Sequence, residues 1–105
     1  MTDHPLVISK NGKPIRLPDE RWSHIMEEHG ELAAMREIIM VTVAEPERIF
    51  VGTMGEFMAV REVEPGKYLV VVYRELEDDG FIITAFLTRR IRSIEKRVQI
   101  WPSSV

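Results

Sequence analysis

Four runs in the second half of the chain, "ERIFV", "FMAVREV", "KYLVVVYRE" and "GFIITAFLTRR", are rich in β-branched and aromatic residues, the composition of half-buried strands. The segments between them, "GTMGE", "EPGK" and "LEDDG", are too short to carry a crossover. Successive runs are therefore expected to pair as antiparallel hairpins, with Pro65 and Gly66 at the centre of a type II turn. A meander of this kind exposes an apolar face, and something else in the chain has to cover it.

The first half supplies the cover. Pro18 and Asp19 carry helix-start chemistry, since proline tolerates the first turn and an aspartate accepts from unpaired N–H groups there. A helix is expected to run from there to His29, with Gly30 as its stop. A second helix over 31–44 places Leu32, Met35, Ile38, Ile39 and Val43 near 3.6-residue spacing and ends before Pro46. Ahead of both, Asn11-Gly12 between two short apolar runs predicts a small N-terminal hairpin, with Pro14 confining its second arm to an edge. A last short strand, "RVQIW", is expected to return to another edge. The expectation is an α+β fold, two N-terminal helices on one face of a four-stranded antiparallel sheet plus the hairpin, with the other sheet face open.

A length of 105 residues, 45% of them apolar, suits one hydrophobic core, so residues 1–105 are read as a single domain. The absence of cysteine removes disulfide, thiolate and Cys–zinc chemistry. No apolar segment approaches the roughly 18 residues needed to span a bilayer, and the N-terminus lacks a basic region followed by an apolar run, which points to a cytoplasmic protein with no membrane partner. Net charge is −3, yet residues 89–97, "RRIRSIEKR", hold five cations against one acid. Arg89, Arg90, Arg92, Lys96 and Arg97 form either a solvated face or a foothold for a polyanion such as RNA.

Chemistry concentrates in "ERWSHIMEEHG", residues 20–30, which holds two of the three histidines. On an ideal helix Trp22, Ile25, Met26 and His29 share a stripe, while His24 lies about 140° from His29, beside Arg21 and Glu28. This is not the i, i+4 pair of a zinc-binding helix, and no metal or other cofactor is expected. On general grounds a histidine placed like His29 is more often a capping or core residue, and one placed like His24 more often a surface residue. In "FIITAFLTRR", alternation puts Ile82, Thr84, Phe86 and Thr88 on one face and Phe81, Ile83, Ala85, Leu87 and Arg89 on the other. An imidazole, a guanidinium and hydroxyls are the groups a metal-free ribonuclease uses: one moves a proton near neutral pH, the others hold the phosphate.

Taken in order, "IRLPDERWSHIMEEHGEL", "PERIF", "YLVVVYRE" and "FIITAFLTRR" resemble the phage-associated nuclease-like domains grouped with barnase, the EndoU nucleases, colicins E5 and D, and the RelE-type toxins. The similarity covers roughly residues 15 to 90. It is greatest to a subgroup whose helix reads Arg-Trp-x-His-Ile followed by a histidine and whose late strand reads Ile-Thr-Ala-aromatic-Leu-Thr. The resemblance implies a two-helix, four-stranded fold and metal-independent RNA cleavage, in which the 2′-hydroxyl attacks the adjacent phosphate and leaves a 2′,3′-cyclic phosphate. Residue by residue, it implies acid–base roles for His24 and His29, with the order open. It implies a phosphate contact for Arg21 and phosphate hydrogen bonds for Thr84 and Thr88. A protein inhibitor or antitoxin is an implied partner. Two alternatives stand beside this reading: a catalytically inactive domain that binds RNA or protein, and a homodimer using the open sheet face or the C-terminal strand.

Overall fold

A computed structural model describes residues 6–103. The four apolar runs form β3 (Arg48–Val51), β4 (Phe57–Glu64), β5 (Lys67–Glu75) and β6 (Gly80–Thr88), antiparallel in sequence order. Gly66, with φ of 76°, closes the β4–β5 turn in a conformation that favours glycine.

The sheet does not stop there, and the expected four-stranded antiparallel arrangement is corrected to a seven-stranded mixed sheet, ordered β1-β2-β6-β5-β4-β3-β7. β1 (Leu6–Ile8) and β2 (Pro14–Arg16) pair antiparallel around Asn11-Gly12. β2 then joins β6 in parallel through one register pair, Arg16 with Phe81. The pairing is this short because Pro14 has no N–H to give a ladder. Polar clamps complete the join: Ser9 and Asn11 donate to the Glu75 carboxylate, Lys13 to the Glu77 carbonyl, and Arg16 pairs with Asp79. At the opposite edge β7 (Gln99–Trp101) pairs antiparallel with β3.

Two helices line one face. α1 (Asp19–Glu28) begins after Pro18, whose carbonyl accepts from the Arg21 and Trp22 N–H groups. Asp19 is therefore inside the first turn rather than capping it, and its carboxylate lies 3.6 Å from the Arg36 guanidinium. The second helix, α2 (Arg36–Ala44), starts later than its periodicity predicts, because residues 30–32 form a 3-10 turn that buries Leu32. Ile25, Leu32, Ile39, Met40 and Val43 close over Leu69, Val71, Tyr73, Ile82 and Ala85. Each fully buried aliphatic side chain contributes about 1.5–3 kcal/mol. The sheet curls around α2, which touches β1, β4 and β5, and Lys10 beside β1 lies 4.7 Å over the Trp101 ring of β7 at the far edge.

The second face is not open, as the sequence suggested. α3 (Arg92–Glu95) lies across it, and Ile91 and Ile94 pack on Phe50, Met58, Val60, Val70 and Val72. Glu95 pairs with Arg48 at 2.6 Å, and that guanidinium sits over the Phe50 and Tyr68 rings. A homodimer through this face would have to displace α3. No helix among the described residues is long and apolar enough to cross a membrane.

Tyr73 is fully buried against Phe57, and its hydroxyl has no partner among the described residues. Burial, reinforced by the nearby Glu75 charge, pushes this phenol up from its ordinary value of 10.0. In the folded state it keeps its proton where the unfolded chain loses it, so stability falls as pH rises above 10. Tyr73→Phe is expected to be neutral or stabilising by about 1 kcal/mol at pH 7. It should also flatten the alkaline decline by about 1 kcal/mol per pH unit, as read by urea denaturation between pH 9 and 11.

Candidate functional site

β6 is the strand on which the candidate residues converge. β2 shields its first residues only, and beyond Phe81 its outer edge has no strand partner among the described residues. α1 packs along β6 there. Arg21, from the first half of the helix, shares a cavity with Gly80 and Phe81, while His29, at its C-terminal end, sets its ring 6.3 Å from that of Phe86. Helix and strand therefore run side by side, with the imidazole at the far end.

A register shift decides which β6 side chains face outward. Val72 pairs with Thr84, but Tyr73 pairs with Ile82, so Ile83 is an extra, bulged residue. Strict alternation is thereby corrected: Ile82 joins Ala85 and Leu87 under the helices, and Ile83 moves to the face of Phe86. Thr84 and Thr88 share that face through Val72 and Tyr68, their cross-strand partners. Phe81, opposite Arg74, lies there too, although alternation placed it on the other side.

His24 and His29 part company: His24 lies within α1, and His29 is the residue that follows it, with φ −136° and ψ 67°. His24 is exposed, its side chain 48% accessible, with Nε2 3.4 Å from Glu28 one turn on. It lines a cavity of about 250 Å³ with Glu20 and Arg21. His29 is more sheltered, at 31%, with Nδ1 3.8 Å from the Glu31 carboxylate. Its backbone ends α1, donating to the Ile25 carbonyl and accepting from the Leu32 N–H. Among the described residues no three His, Cys, Asp or Glu side chains converge as a metal-ligand set.

The threonines also differ. Thr88 Oγ1 accepts from the Arg90 N–H at 2.9 Å and so pins the start of the basic segment, leaving its hydroxyl proton for another acceptor. Thr84 makes no side-chain hydrogen bond among the described residues, although it is half-buried. Arg89, Arg90, Arg92 and Lys96 are exposed, whereas Arg97 is half-buried. A separate cavity of about 480 Å³ at the start of α2, lined by Ala33, Ala34, Arg36, Glu37 and Met40, holds none of the candidate residues.

Three arginines escaped the sequence reading. Arg16 and Arg74 flank Phe81 in one cross-strand row, and Arg48 is held between rings on the second face. The parallel β2–β6 contact joins segments 65 positions apart, so no local pattern signals the first pair. "PERIF" could have flagged Arg48, since a cation between strand-forming residues needs a ring or a carboxylate beside it.

Thr88→Val should cost about 1 kcal/mol in chemical denaturation, by removing the acceptor of the Arg90 N–H. Thr84→Val should cost clearly less, because no protein hydrogen bond is lost. No family model, characterised protein or solved structure matches this chain, so a functional reading rests on these residues themselves.

Proposed function

We propose that the protein is a metal-independent endoribonuclease, toxin-like or phage-derived and acting in the cytoplasm, of the kind its helix and strand motifs resemble. The supporting observation is the contact of His29 with Phe86, the residue midway between Thr84 and Thr88 on the exposed margin of β6. The His29 imidazole and the Arg21 guanidinium border the helix–strand seam, and Thr84, with no side-chain hydrogen bond among the described residues, shares the β6 face of Phe86.

In this mechanism His29 takes the proton from a ribose 2′-hydroxyl, whose oxygen attacks the adjacent phosphorus. The P–O2′ bond forms, the P–O5′ bond breaks, and the leaving oxygen receives a proton from the imidazolium or from water. Thr84 donates to a phosphate oxygen, and Arg21 offsets charge along the strand. His29 is preferred to His24 as the proton acceptor because His29 sets its ring beside Phe86 of β6, whereas His24 is exposed and pairs with Glu28.

A second reading, RNA binding without cleavage, is favoured by the four exposed cations Arg89, Arg90, Arg92 and Lys96, which Ile91 and Ile94 anchor to the sheet. The two separate cleanly. Purified protein in excess chelator should cut RNA to 2′,3′-cyclic ends, and His29→Ala should reduce the rate by about 100-fold or more, with His24→Ala much milder. If wild type gives no cyclic ends while RNA affinity still falls steeply with salt, the binding reading replaces catalysis.

A further inference from the structure

Phe81 is an aromatic side chain without an aromatic or core partner. It is half-buried, packs into neither apolar cluster and stacks on no ring among the described residues. Arg16 of β2 and Arg74 of β5 are its cross-strand neighbours, and Arg21 of α1 lines, with Phe81 and Arg16, a cavity that Arg74 does not line. The row is drawn tight at Gly80, where a Cβ would lie 2.5 Å from Ile15 Cδ1 and 2.6 Å from the Arg74 carbonyl oxygen.

The three guanidinium groups are not equally committed. Arg16 is paired with Asp79, and Arg74 turns toward the β3–β4 turn, where it donates to the Met54 carbonyl at 3.3 Å. Arg21 has neither an ion pair nor a hydrogen bond from its side chain among the described residues. Glu20 and Asp79 also line the cavity, which encloses about 400 Å³. That volume lies within the range of small-molecule sites, about 300–1,000 Å³.

We propose that Phe81 and Arg21 form a subsite for one unpaired nucleotide of an RNA strand, the base lying on the Phe81 ring and a flanking phosphate on the Arg21 guanidinium. The inference rests on the RNA reading above and adds what kind of RNA is taken. A ring stacks on any base whose face is free, and duplex bases have no free face, so the subsite selects single strands. Because Phe81 and Phe86 lie on one face of one strand, a chain seated at Phe81 and following β6 leads to His29.

The test uses a fluorescent 2′-O-methyl RNA strand, which has no free hydroxyl to attack and so reports binding alone. Fluorescence anisotropy should show Phe81→Ala weakening single-strand binding roughly tenfold, in line with the loss of one base–aromatic stack. Phe81→Tyr should restore it to within about twofold, since the ring is retained. The same sequence as a duplex should bind more weakly and be indifferent to Phe81→Ala. Unchanged melting of each variant shows that the fold is intact. Equal single-strand affinity in Phe81→Ala overturns the proposal. So does displacement of the RNA by polyglutamate with equal efficiency in wild type and Phe81→Ala, which would mark a charge-only surface for an acidic protein. If Phe81→Ala loses binding while unmodified RNA is never cut, only the catalytic reading falls; if RNA is cut through His29 and Phe81→Ala binds normally, only the subsite falls.

Discussion

Burial of β5 on both faces is the constraint on which the rest of the molecule depends. Leu69, Val71 and Tyr73 point under the helices, and Val70 and Val72 point under α3. A strand loaded this way cannot sit at an edge, and a single helical layer cannot satisfy it. The chain responds by placing β4 and β6 on its two sides and by using two covers. The N-terminal helices provide one. The C-terminal segment, which looks from its charges like a solvated tail, provides the other through two isoleucines three residues apart.

Function, on the proposed reading, lives where that burial runs out. β6 is half-buried beyond its bulge, and its outer edge lacks a strand partner past Phe81 among the described residues. The bulge at Ile83 is what puts Phe81 and Ile83 on the face of the threonines, because one additional residue reverses which neighbours share a face. α1 then brings its polar residues to this margin while Trp22 and Ile25 hold it to the core. Docking and presentation are done by two stripes of the same helix.

Charge follows the same division. A net of −3 describes the average, but cations gather at two places on the sheet: the Arg16–Phe81–Arg74 row and the strap that carries Arg89, Arg90, Arg92 and Lys96. Glu95, the one acid within the strap, pairs with the Arg48 guanidinium, and Arg89, Arg90, Arg92 and Lys96 are left to solvent. The strap is thus tied down by its apolar and acidic residues and displays its basic ones.

By itself the sequence determined the parts whose causes are local. The β3–β6 hairpins follow from β-branched runs and short turns, the Asn11-Gly12 hairpin from its turn, and the divergence of His24 and His29 from 100° per residue. The site was legible as a set of residue types on one helix and one strand. Only the tertiary structure decided which of them meet. The parallel Arg16–Phe81 pairing, the return of β7 to β3 and the packing of Ile91 and Ile94 are contacts between distant segments, settled by which buried surface each leaves uncovered. The bulge at Ile83 was equally out of reach, since no rule of alternation predicts its own interruption. That one residue is the physical reason Phe81 and Ile83 share the face of the threonines while Ile82 lies under the helices.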